Sequence, residues 1–194
     1  IPLLDAKEED QHTEEENTHS SDPHIWLDPI RMQQLTDSVM QALQALDPPH
    51  TEQYAERAKI LKEKLSSLDR DYKKQLATCE IKEIITSHNA FAYLADRYGF
   101  TVHSIAGMSP DNDPSPKHIA ELATLAKEKD IRVIFFETLA SPKLSETIAN
   151  EVGAATAVLN PIEGRTTDEI AAGKGYDALM RDNLLALRAA MRCQ

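Results

Sequence analysis

The chain has 194 residues, 41% of them hydrophobic and 27% charged, with a formal net charge of −11. That length supplies one good core, or one and a half lobes of something larger. The acidic balance argues against nucleic acid and anionic membrane as partners and favours a cation, and no apolar run approaches the length of a bilayer span, so no stable membrane insertion is expected.

The chain opens Ile1-Pro2, with neither Met nor a signal peptide, as a mature, processed or truncated product does. Residues 1–22 read as a flexible acidic loop carrying His12 and His19. It is either a plain solvated charge run or a weak collector of cations, for which clustered carboxylates and imidazoles are suited. Asp28-Pro29 is a helix-start signal, with Asp at the N-cap and Pro at the first helical position. Met32, Leu35, Val39, Leu43 and Leu46 then form an apolar stripe that Asp47-Pro48-Pro49 ends. Nothing local covers that stripe, and residues 23–49 lack a sheet. They are read as the remnant of a first lobe lying before Ile1.

Residues 50–77 are the most regular stretch. Tyr54, Ala58, Leu61, Leu65, Leu68, Tyr72 and Leu76 recur in steps of four and three with no Gly or Pro between them. The pattern predicts a helix of about 25 residues, close to 40 Å long at about 1.5 Å per residue, a stiff spine running the height of two lobes. From 78 to 194 the pattern alternates. Strands are expected at 81–86, 101–105, 132–136 and 155–159. Helices are expected at 90–98 with Gly99 closing, from Ser115-Pro116 to Lys129, from Ser141-Pro142 to near Gly153, and along Met180, Leu184, Leu187 and Met191. The continuous apolar run 132–136 suits a parallel strand buried on both faces. The fold class is therefore α/β, a four-stranded parallel sheet flanked by helices.

Cys79 and Cys193 form no Cys-x-x-Cys pair, which argues against a cysteine metal knuckle. They are either two unrelated buried thiols or a disulfide that pins the chain end and implies an oxidising compartment.

Two histidines stand at strand or helix ends. His24 lies in the turn before the first helix, beside Trp26, and His88 ends the first strand. Glu137 and Glu163 follow the third and fourth strands. Ligands in open α/β sheets bind beyond the carboxyl ends of the strands, and imidazole nitrogen with carboxylate oxygen is a zinc donor set. Manganese takes more carboxylate and fewer imidazoles. Each residue has a plainer reading: His24 as a cap or ring partner of Trp26, His88 as a strand-end hydrogen-bonder, Glu163 as a turn residue, Glu137 as an orienter of a histidine or a cap partner. His103, His50 and His118 read as structural or surface residues. Nucleophilic catalysis has no support, since the chain carries no Gly-x-Ser-x-Gly elbow and no Gly-rich phosphate loop.

Asp22-Pro23-His24-Ile25-Trp26-Leu27-Asp28-Pro29 resembles the solute-binding proteins of bacterial zinc and manganese ABC transporters. The likeness continues through Thr86-Ser87-His88-Asn89-Ala90-Phe91-Ala92-Tyr93-Leu94, Gly107-Met108-Ser109-Pro110, Pro114-Ser115-Pro116, Phe135-Phe136-Glu137-Thr138, Leu159-Asn160-Pro161-Ile162-Glu163-Gly164 and 176–184, and so covers nearly all of 22–192. The resemblance implies two α/β lobes joined by one long rigid helix, with the metal between them. It implies His24, His88 and Glu163 as ligands, with Glu137 and Asn160 behind them, and one further histidine from the first lobe. In manganese members the position of His88 is usually a carboxylate, so histidine favours Zn²⁺ over Mn²⁺. The implied function is capture of extracytoplasmic Zn²⁺ and its delivery to an inner-membrane ABC permease. That is a periplasmic, monomeric, non-enzymatic role, with lipoprotein anchoring left open. The alternatives are a manganese receptor, a surface adhesin on the same fold and, behind both, a zinc-dependent hydrolase.

Overall fold

The computed structural model describes residues 3–4, 21–108 and 114–194. The expected acidic loop, with His12 and His19, falls almost wholly outside them. A 3-10 turn, Ile25–Leu27, leads into α1, Pro29–Leu46. The Asp28 carboxylate accepts from the Ile30 N–H at 2.8 Å, as the cap signal requires. After a second 3-10 turn, Pro48–His50, α2 runs Thr51–Gln75 without a break. Its 25 residues span about 37 Å.

The chain then winds β1 (Glu83–Thr86), α3 (Ala92–Tyr98), β2 (Thr101–Ser104), α4 (Pro116–Glu128), β3 (Val133–Phe136), α5 (Lys143–Val152) and β4 (Ala155–Val158). It closes with α6 (Thr167–Ala171) and α7 (Tyr176–Ala190). The four strands form one parallel sheet in the order β2-β1-β3-β4. Gly99 and Gly153 end α3 and α5 at φ 73° and 70°, left-handed positions that favour glycine. The sequence reading gave no helix at 167–171, although Thr166 and Glu169 form a capping box there.

Successive strand residues face opposite sides of the sheet. Ile84 and Phe135 join a core under α2, α3 and α7 that includes Leu68, Tyr72, Leu94, Met180, Leu184 and Leu187. Ile85 and Ile134, which pair across β1 and β3, join a second core with Leu122, Ala126 and Ile148 from α4 and α5. The two layers of helix thus bury both faces of the central strands, as a parallel sheet needs.

The N-terminal half of α2 is different. Leu65, Leu68 and Tyr72 are buried, but Ile60 and Leu61 stay 45% and 37% exposed. Its neighbour α1 buries Pro29 alone, while Val39, Leu43 and Leu46 are exposed. Among the described residues no helix is long and apolar enough to cross a membrane.

At the far end of the sheet Cys79 and Cys193 are joined in a disulfide. The Ile81 N–H donates to the Met191 carbonyl beside it, so the end of the chain is fastened to the entry of β1.

Candidate metal centre

The connection from β1 leads to β2 on one side of the sheet, and the connection from β3 leads to β4 on the other. Those connections diverge at the carboxyl ends of β1 and β3 and leave a crevice between them, where open α/β sheets hold ligands. His88 lies two residues beyond β1 and Glu137 is the first residue beyond β3. Glu163 comes from the loop after β4, and His24 from the start of the 3-10 turn ahead of α1.

Local bonds fix both histidine backbones. The His88 carbonyl accepts from Thr86 Oγ1 at 2.9 Å and from the Ala90 N–H at 3.0 Å. The His24 N–H donates to Asp22 Oδ1 at 2.8 Å, and Tyr93 Oη donates to the Asp22 carbonyl at 2.8 Å. Trp26 packs edge-on against the His24 ring, with centroids 5.3 Å apart.

Each imidazole has a buried carboxylate behind it. His24 Nδ1 lies 2.7 Å from Asp22 Oδ1, and His88 Nδ1 lies 2.5 Å from Glu137 Oε1. A carboxylate only accepts, so both Nδ1 atoms donate and both Nε2 atoms are left as lone-pair donors to a metal. Those two Nε2 atoms are 3.4 Å apart, and Glu163 Oε1 sits 3.2 Å from one and 3.6 Å from the other. Three electron-pair donors therefore face one point. A position equidistant from all three lies about 2.0 Å from each, within the zinc–nitrogen and zinc–oxygen bond lengths of about 2.0–2.2 Å. Two imidazoles backed by carboxylates are also the usual surroundings of a bound metal.

A proton competes for the same place. Burial disfavours the charged form of His24, but the Asp22 carboxylate, with Glu163 behind it, outweighs burial and holds this imidazole above its ordinary pKa. The histidines and their two rear carboxylates are all buried, whereas the Glu163 side chain is 39% exposed. The site is thus walled on one side and open at the glutamate.

The glutamate loop is held by its backbone. The Asn160 N–H and carbonyl are both bonded to the Asn183 amide, at 2.8 and 2.7 Å. Asn160 Oδ1 accepts from the Ile162 N–H at 2.8 Å, and the Trp26 indole N–H donates to the Pro161 carbonyl at 2.8 Å. Ile162 itself stands at φ 59°, a left-handed position that costs a β-branched residue about 1–3 kcal/mol.

The structure brings His24, His88 and Glu163 together and sets Glu137 against His88. Asn160 serves the loop rather than the faces of the histidines. His103 pairs with Glu83, His50 with Asp47, and His118 with the Ser104 carbonyl, all away from the crevice. The sequence reading missed two residues. Asp22, assigned to the end of the acidic segment, is buried and orients His24. Trp26 reaches across to the glutamate loop. An acid two residues ahead of a turn histidine was a usable signal for the first; nothing local announces the second.

A family model described as zinc-uptake complex component A, periplasmic, matches residues 2–190. The chain belongs to this family. It is 42% identical over 171 residues to the high-affinity zinc uptake system protein ZnuA of Bacillus subtilis, covering 88% of this chain and 54% of that protein. The zinc-bound ZnuA-like domain of Streptococcus pneumoniae AdcA superposes with a TM-score of 0.77 at 38% identity, over 90% of this chain and 66% of that one. The laminin-binding protein of Streptococcus agalactiae, described as an adhesin with metal-transporting activity, superposes with a TM-score of 0.81 at 28% identity, over 98% of this chain and 68% of that one. The chain thus spans about half the length of its Bacillus relative.

Proposed function

We propose that this chain is the metal-holding lobe of a zinc receptor that captures Zn²⁺ outside the cytoplasmic membrane and hands it to an ABC permease. The observation that carries the reading is the meeting of His24 Nε2, His88 Nε2 and Glu163 Oε1 at zinc-bond spacing, each imidazole backed by a buried carboxylate. Two imidazoles to one carboxylate suit zinc better than manganese, which prefers oxygen. A fourth donor from outside the described residues would close the tetrahedron and leave no open position for chemistry, which is the arrangement of a carrier rather than a hydrolase.

The exposed apolar residues of α1 and the free half of α2 support the wider organisation. Residues 23–49 belong with a first lobe, and α2 is the rigid connection between the lobes. The disulfide supports an oxidising, periplasmic setting. A monomer delivering its cargo to the permease is the working assembly.

The test is a competitive Zn²⁺ titration of the intact protein. His88→Ala removes one donor and is expected to weaken binding by about tenfold or more, on the scale at which supporting groups already matter. Unchanged affinity would defeat the assignment.

A further inference from the structure

Glu163 is the exposed member of the donor triangle, and the polar contacts of its side chain among the described residues are to the two histidines. Its placement is therefore a matter of the backbone just before it. The peptide between Pro161 and Ile162 is pinned at both ends, its carbonyl by the Trp26 indole and its N–H by Asn160 Oδ1. That peptide also sets the left-handed φ of Ile162. Without those two bonds Ile162 is free to relax toward the negative φ that a β-branched residue prefers, and rotation about its N–Cα bond displaces the Glu163 that follows it.

Trp26 is well placed to prevent this. It sits two residues after His24, packs edge-on against the His24 ring, and has its own carbonyl held by Tyr176 Oη at 2.5 Å. One side chain thus touches the imidazole of one donor and the backbone that carries another, across 135 positions of sequence.

We propose that Trp26 is a positioning residue for zinc, locking the Pro161–Ile162 peptide in its unrelaxed orientation so that Glu163 stays on the metal. The proposal rests on the reading of the site given above. It places the control of zinc release in the glutamate arm, with the indole N–H as its catch.

Trp26→Phe keeps an aromatic ring at the position beside His24 and removes the donor N–H together with the pyrrole part of the indole. In Zn²⁺ titrations of the intact protein it is expected to weaken binding about tenfold, with a matching rise in the dissociation rate. In a Glu163→Gln background the same change is expected to alter affinity less than about twofold, because the arm no longer carries a full ligand; such non-additivity marks residues that act together. Equal losses in both backgrounds, or none in either, would overturn the positioning role. A Glu163→Gln protein that binds Zn²⁺ as tightly as the unaltered one would instead overturn the ligand reading itself.

Trp26 is the single tryptophan of these 194 residues, so in the intact protein, with any tryptophan outside them replaced by phenylalanine, the catch can also be watched without altering it. By reciprocity, zinc on Glu163 steadies the bond that steadies Glu163. Iodide quenching of indole fluorescence should fall by about half on adding Zn²⁺ to the unaltered protein and stay constant in Glu163→Gln. Quenching that ignores zinc in both would contradict the proposal.

Discussion

His24 and His88 present Nε2 to a common point because something else occupies Nδ1. Asp22 and Glu137 fix the tautomer and the ring orientation of their histidines at once. The same Asp22 that makes His24 a good zinc donor makes it a good base, and the pH dependence follows. Zinc must displace the proton, so affinity falls as pH drops through the His24 pKa, and that pKa lies above the ordinary imidazole value. Asp22→Asn removes the group that raises it. Affinity at pH 8 is expected to fall about 10–100-fold, while the acid limb of the affinity–pH curve shifts to lower pH; isothermal titration across pH 5.5–8 measures both. A limb that stays in place would mean that Asp22 does not set the basicity of His24. That His24, His88 and Glu163 meet was legible in the sequence, because His88 and Glu163 follow strands and His24 opens a turn before a helix, each a place where ligand groups gather in open α/β sheets. Asp22 was harder to read: its place two residues ahead of His24 is a local signal, but it adjoins a run of acids, and the bond that holds its carbonyl comes from Tyr93, 71 positions away.

Among the elements, the strands and long helices were readable to within a residue or two, because periodicity and Gly or Pro punctuation are local. Strand order was not. It depends on which parallel edges find one another after the crossovers, and that order, β2-β1-β3-β4, is what opens the crevice between β1 and β3. The short helix α6 was missed because five residues offer no period to read, although the Thr166–Glu169 cap was there to be seen. The pairing of Cys79 with Cys193 was one of two open readings, and the structure joins them across 114 positions. Closing so long a loop stabilises the fold by about 4–5 kcal/mol on chain-entropy grounds. The bridge lies at the amino-terminal edge of the sheet, opposite the metal centre. Changing both cysteines to serine is therefore expected to lower stability by about 2–5 kcal/mol in urea unfolding, while zinc affinity of the folded protein changes less than about twofold. A large affinity loss without unfolding would show that the two edges of the sheet are coupled.

At the scale of the molecule, two features look outward. The exposed Val39, Leu43 and Leu46 on α1 mark a surface that wants covering, and the donor triangle presents its open side past Glu163. Both are accounted for if the metal sits between this lobe and another, with α2 as the stiff member that keeps the lobes in register. The acidic charge of −11 draws cations toward that opening. One ion in one place would join these features. Anomalous diffraction at the zinc absorption edge, from crystals of the zinc-loaded intact protein, locates it directly. A single strong peak is expected about 2.0 Å from His24 Nε2, His88 Nε2 and Glu163 Oε1. A peak elsewhere, with those three atoms left bare, would contradict the reading.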